Sequence, residues 1–242
     1  MERKEFLKKL GVGTMAFPLL ASCGSDEPLM VSTDESINEG STNTDCALTA
    51  SETEGPFPIK DPASLQRVDI VGDRTGIDLD IEITILDGDQ NCIPLEGVLV
   101  DIWHCDKDGY YSEYGGTQMQ AVDYTDNHFL RGRQVADENG KVAFSSIFPG
   151  WYQSRATHIH VHVYSNNGNS LLVTQIAFPE GNNSAVVQVN AASDFGYTKG
   201  MNGYTYNAND NVFGDGVSTE MSNISGSISS GFYLTHNIVV SP

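Results

Sequence analysis

The side chains best suited to chemistry cluster in residues 149–162, PGWYQSRATHIHVH. His158 and His160 are two apart, and alternate side chains of a strand share a face. Two imidazoles on one face can hold one metal ion. Tyr152 stands six residues before His158. A phenolate is a hard, anionic oxygen donor, which by extension of the ligand-softness rule suits Fe(III) better than Zn(II) or Cu(I). A second segment, residues 95–114, LEGVLVDIWHCDKDGYYSEY, supplies further tyrosines. It reads as a strand from Val98 to Cys105, an Asp-Lys-Asp-Gly turn, and then Tyr110 and Tyr111. Free tyrosine titrates near about 10, so a phenolate at neutral pH needs a strong local cation, which a trivalent metal supplies.

Taken in order, these motifs resemble those of the intradiol ring-cleavage dioxygenases, which include protocatechuate 3,4-dioxygenase and catechol 1,2-dioxygenase. The family pattern of Trp followed by Gly-x-Tyr is met by Trp103, Gly109 and Tyr111, and Pro-Gly-x-Tyr by Pro149 to Tyr152. Arg-x-x-His-x-His is met by Arg155, His158 and His160, and the Gln of the next strand by Gln175. The opening Thr-x-Gly-Pro is met by Thr53, Gly55 and Pro56, so the resemblance covers residues 46–180. It is nearest to the protocatechuate 3,4-dioxygenase-like branch, because the helical N-terminal region of the catechol 1,2-dioxygenase branch has no counterpart.

The resemblance implies a mononuclear non-haem Fe(III) held by Tyr111, Tyr152, His158 and His160. It implies cleavage of a catechol-type diol by dioxygen between the hydroxyl-bearing carbons, giving a cis,cis-muconate-type diacid. Tyr152 would leave the metal and help accept a substrate proton. Arg155 would stabilise negative charge beside the ring. Gln175 would be a polar neighbour of the reaction, and the segment around Pro56 would close over the pocket. Tyr111 is preferred to Tyr110 because the family ligand follows the glycine by two residues. Tyr110 and Trp151 are expected to border the substrate. No acid between Tyr111 and His160 occupies a ligand position matching the two-histidine, one-carboxylate set of Fe(II) extradiol enzymes.

Two other readings use the same residues. One is a noncatalytic secreted β-sandwich that binds polyphenol or carbohydrate. The other is a Zn or Cu hydrolase or oxidase built on His158, His160 and His162. Colour separates the zinc reading from the ferric one, because a ferric phenolate protein is red-brown and a zinc protein is colourless.

The elements that must position these groups are strands. Ile77 to Leu86 alternates Ile77, Leu79, Ile81, Ile83 and Ile85 against Asp78, Asp80, Glu82 and Thr84, the pattern of a half-buried strand. Further strands are expected at Val98–Cys105, Lys141–Phe148, His158–Ser165, Leu171–Phe178, Ala185–Val189 and Phe232–Val240. Short strands separated by turn signals predict an all-β, antiparallel β-sandwich with long active-site loops. Those loops are residues 106–135, beside the metal, and residues 190–230, rich in Gly, Asn, Ser and Asp.

The first 22 residues read as a lipoprotein signal peptide, with a charged start, a short apolar stretch and Leu20-Ala21-Ser22-Cys23 as lipobox. Leu10 to Ala21 falls short of the about 20 residues of a membrane span. Arg3 to Lys8 resembles a variant twin-arginine signal. Cys23 is the expected lipidation site, residues 23–45 a disordered tether rich in Ser, Thr, Asp, Glu and Asn, and 46–242 the β-sandwich domain. The chain is therefore expected outside the cytoplasm, facing periplasm or cell exterior, with a lipid anchor as its only membrane contact. Of 242 residues, 32 are acidic and 13 basic, for a net charge of −19. That balance argues against nucleic acid and anionic membrane surfaces as partners. Catechol-type substrate and dioxygen are the expected partners, and an oligomer is compatible with the sequence. Beyond Cys23, the cysteines Cys46, Cys92 and Cys105 predict one disulfide and one thiol, with three pairings open.

Overall fold

The computed structural model describes residues 46–242. The signal peptide, Cys23 and the tether lie outside the described residues. Strand β1 (Asp78–Asp87) carries the predicted alternation, with Leu79, Ile81, Ile83 and Ile85 buried. Its neighbours are β5 (Lys141–Ile147) and β2 (Ile93–Pro94), which pair with successive parts of β1, and β9 (Gly231–Val240), which pairs along nearly all of it. Strand β8 (Asn223–Ser227) completes this sheet beyond β9. The second sheet runs β4 (Arg131–Val135), β3 (Leu99–Trp103), β6 (His158–Tyr164), β7 (Ser170–Ala177), all antiparallel. The sandwich is antiparallel as expected except at β1 and β9, which run parallel.

Ile81, Ile83, Leu234 and Ile238 of the first sheet pack with Val100, Ile102, Ile159, Val161 and Ile176 of the second. In β6 the period of two does the sorting: Ile159, Val161 and Val163 join the core, and His158, His160 and His162 fall on the opposite face. Register then sets a row across three strands, with Trp103 and Gln175 as the two cross-strand partners of His160.

Three expectations change. Ala185–Val189 is not a strand but a short helix, α1 (Ala185–Asn190). The Ser184 side chain caps it by accepting from the Val187 amide at 3.3 Å, and Val186 and Val189, three apart, turn into the core. Tertiary packing overrides the β-branched composition. The loop at 106–135 ends in strand β4, and the loop at 190–230 contains β8. The disulfide joins Cys46 to Cys92, and Cys105 is the buried thiol, pushed up to about 12 by burial.

Candidate active site

Three of the predicted donors meet. Tyr111 Oη lies 3.0 Å from His158 Nε2 and 3.4 Å from His160 Nε2, and the two Nε2 atoms are 3.1 Å apart. All three side chains are 2% exposed. His158 Nδ1 is 2.7 Å from the Ala156 carbonyl, an acceptor, so Nδ1 carries the proton and Nε2 presents a lone pair. Burial holds both imidazoles neutral, His158 at about 3 and His160 well below its ordinary value. Burial also raises the Tyr111 phenol well above its ordinary value, so a Tyr111 phenolate here requires a cation in contact. Two neutral ring nitrogens and one phenol oxygen, buried and mutually within 3.4 Å, fit a single metal cation. Among the described residues no three His, Cys, Asp or Glu side chains form such a group, so this one depends on the tyrosine.

Each donor is fixed locally. Trp103 stacks on His160 with planes 2° apart and centroids at 4.8 Å. Gly55 lies against the edge of the same ring: a Cβ there would stand 3.1 Å from His160 Cε1, and its φ of +65° is one that L side chains rarely adopt. The Tyr111 backbone is clamped by Gln120, whose Oε1 accepts from the Tyr111 amide at 2.7 Å and whose Nε2 donates to the Tyr111 carbonyl at 2.8 Å. Arg131, fully buried, donates to the carbonyls of Phe57 (2.9 Å) and Ser112 (2.6 Å) and so ties the Gly55-Pro56 segment to the tyrosine loop. The two Gly-x-Tyr loops also interlock, since a Cβ on Gly109 (φ +89°) would collide with the Trp151 carbonyl oxygen.

Tyr152 sits apart from the other donors. Its ring packs edge-on to Phe57 and Tyr111, but its hydroxyl donates to the Met119 carbonyl at 2.8 Å. Tyr152, Tyr111, His158, His160, Arg155, Pro56 and Phe57 line one cavity of about 300 Å³. A larger cavity of about 460 Å³ beside His236 is lined mainly by hydroxyl, amide and aliphatic residues and holds none of these donors.

Arg155 reaches the cavity from a buried frame. Its Nε donates to both carboxylate oxygens of Asp210 at 2.9 and 2.8 Å, and Nη2 donates to Gln175 Oε1 at 2.6 Å. Gln175 Nε2 donates to the Thr53 carbonyl at 2.8 Å, which places Gln175 between the arginine and the segment 53–56. Asp210 also accepts from the amides of Ala156 (2.7 Å) and Val212 (2.9 Å). Thus the loop at 190–230, whose residues Asn211 and Val212 line the cavity, forms one of its walls.

Two predicted pocket residues are elsewhere. Tyr110 is turned toward Tyr124, at 6.2 Å between ring centroids, and does not line the donor cavity. Trp151 is 5% exposed in the main core, donates to the Gly200 carbonyl and lies under the Lys199 ammonium. His162, half a strand beyond the donors, contacts Glu54, Tyr164 and Ser170, which removes the three-histidine reading. Asp210, Gln120 and Arg131 were not expected from the sequence. Gln120 falls in the first long loop, Arg131 at the start of β4 and Asp210 in the second loop, and nothing in their spacing marks them.

The family model described as Dioxygenase matches residues 55–194, more than half of the chain. An intradiol ring-cleavage dioxygenase from Tetranychus urticae superposes with a TM-score of 0.70 at 31% identity, over 81% of this chain and 96% of that one. The chain belongs to the intradiol ring-cleavage dioxygenase family. Chlorocatechol 1,2-dioxygenase of Rhodococcus opacus is 30% identical over 157 residues, 54% of this chain and 56% of that protein. Catechol 1,2-dioxygenase of Acinetobacter baylyi is 29% identical over 194 residues, 71% and 58% respectively. The chain thus spans little more than half the length of these curated relatives.

Proposed function

We propose that the protein cleaves a catechol-type diol between its two hydroxyl-bearing carbons, taking up both atoms of dioxygen and giving a cis,cis-muconate-type diacid. The observation that carries this is the meeting of Tyr111 Oη with two neutral histidine nitrogens in a cavity walled by Arg155. Tyr111, His158, His160 and Tyr152 are the residues proposed to hold Fe(III). Bound there, the ion would act as a Lewis acid that makes a chelated catecholate reactive toward dioxygen.

The chain's own groups do the rest. Phe57, stacked on Tyr111 at 4.8 Å, and Pro56 wall the space for an aromatic ring. Tyr152 is assigned the substrate proton. Once protonated, its hydroxyl has an acceptor in the Met119 carbonyl. The Arg155 guanidinium, aimed by Asp210 and Gln175, would stabilise negative charge developing on a substrate in this cavity. Burial of Tyr111 and both histidines excludes water from the donor side.

The test is product analysis under labelled dioxygen with iron-loaded protein, alongside its visible spectrum. A diacid carrying both labelled atoms and a broad phenolate-to-iron band are expected. A yellow semialdehyde, or a colourless protein with stoichiometric zinc, would overturn the reading. The reading extends to location: cleavage before Cys23 and lipidation there, with the domain outside the cytoplasm. Its support is the sequence of the first 23 residues. An unmodified Met1 at the N-terminus of native material would refute it.

A further inference from the structure

The donor cavity does not end at the ring-sized space. Pro56, Phe57 and Met119 line it and also line a second cavity of about 270 Å³, so the two share a rim. Lys60, Glu113, Tyr114 and Thr125 line the second cavity beyond the shared rim. Lys60 is exposed, its ammonium 4.5 Å from the centre of the Tyr114 ring and donating to the Glu113 carbonyl at 2.6 Å. That contact uses one of three N–H donors. The Glu113 carboxylate is turned inward instead, 2% exposed and held by Arg131, His128 and the Lys60 amide. The second cavity therefore combines an apolar entrance with an ammonium that has donors to spare. On a chain of charge −19 the long-range field repels anions, so recognition of an anionic group falls to a local cation such as this one.

We propose that this second cavity takes the carboxylate-bearing arm of an extended catechol, with Lys60 as its charge partner. The proposal rests on the reading of the first cavity given above. The substrate class is a catechol whose carboxylate sits at the end of an arm of several atoms, long enough to pass Pro56 and Met119. A carboxylate attached directly to the ring would stay in the first cavity and gain nothing from Lys60.

The experiment compares catechol, 3,4-dihydroxybenzoate, 3,4-dihydroxyphenylpropanoate and the uncharged amide of the last, on iron-loaded wild type, Lys60→Met and Lys60→Arg. In wild type, kcat/KM for the propanoate should exceed that for its amide by about tenfold, the size of one partly exposed charge-assisted hydrogen bond. Lys60→Met should bring that ratio to near one, Lys60→Arg should restore it, and catechol and the benzoate should be unaffected by either. Binding of the uncleavable 4-hydroxyphenylpropanoate, followed by calorimetry, should weaken by the same factor in Lys60→Met. A propanoate-to-amide ratio near one in wild type, or one untouched by Lys60→Met, overturns the proposal while catechol turnover leaves the first reading standing. Absence of turnover with every catechol overturns the first reading, and the proposal with it.

Discussion

Replacing Asp210 by Asn tests whether Arg155 is aimed by the second long loop. The Asp210 side chain is fully buried and accepts from Arg155 Nε and from two backbone amides. Asparagine removes the charge and puts an NH2 group where a donor already points. The arginine, 11% exposed, keeps Gln175 and at most one neutral amide oxygen at position 210 in place of the carboxylate. Breaking a buried ion pair on one side costs about 3–5 kcal/mol, and the lower end applies because Arg155 retains a hydrogen bond and some solvent. For a domain of this size about 3 kcal/mol corresponds to a loss of roughly 6–12 °C in Tm. A displaced guanidinium should lower kcat/KM on the order of 10- to 100-fold. Iron content should persist, since Asp210 is not among the donors.

The decisive assay is a double-mutant cycle with Arg155→Ala, read by thermal melting and by kcat/KM. Arg155→Ala alone leaves the Asp210 carboxylate buried with two amides and no counter-charge. The double variant removes both halves of the pair. It should therefore be less damaged than the two single effects added, with a coupling of about 2 kcal/mol or more. Effects that add to within about 0.5 kcal/mol would show that Asp210 and Arg155 act independently, and the positioning role would fall.

Tyr111→Phe should abolish or strongly shift the visible band of iron-loaded protein, because it deletes the phenol placed 3.0 Å from His158 Nε2; an unchanged spectrum would remove Tyr111 from the ligand set. Glu220 is buried with no hydrogen-bond partner on either carboxylate oxygen, and burial with Glu52 and Asp215 nearby raises it to about 8. The folded state thus holds a proton that the unfolded state gives up, so stability should fall as pH rises from about 4.5 to 8. Glu220→Gln should raise Tm at pH 8 and do little at pH 4, as differential melts will show. The Cys46–Cys92 bridge closes a separation of 46 residues, and chain entropy predicts a loss of up to about 4 kcal/mol on replacing both by Ala. A melt insensitive to that change would mean the bridge does not constrain the unfolded chain.

The sequence makes some of this fold plain and hides the rest for physical reasons. The Ile/Asp alternation of β1 records one buried face, and the His/Ile/Val alternation of β6 separates an apolar core face from a buried histidine face, so strand, orientation and two candidate donors follow at once. Strand β4 is hidden because its buried side chain is Arg131, which no hydrophobic pattern counts. Helix α1 is hidden because Val-Val-Gln-Val favours strand locally, while the Ser184 cap and two core contacts decide otherwise. Asp210 lies 55 residues from Arg155, and only chain closure reveals that they pair. Tyr110 and Trp151 show the opposite failure: adjacency to a donor in sequence says little about facing the same cavity.

The four proposed ligands are not equally held, and the inequality bears on mechanism. His158 and His160 belong to a strand hydrogen-bonded on both sides, one ring fixed by the Ala156 carbonyl and the other by the Trp103 stack. Tyr111 is buried and clamped at both its amide and carbonyl by Gln120. Tyr152 is half-buried, and the partner of its hydroxyl is a carbonyl of Met119, itself an exposed loop residue. A ligand that must leave the metal to take a proton has to exchange one partner for another at low cost. Buried, well-packed Tyr111 would leave cavity and unpaired histidines behind if it moved. Tyr152 can move at the cost of one partly exposed hydrogen bond, worth about 1 kcal/mol net. On the proposed reading, then, Tyr152 is the ligand that packing leaves free to exchange and Tyr111 the one it holds fixed.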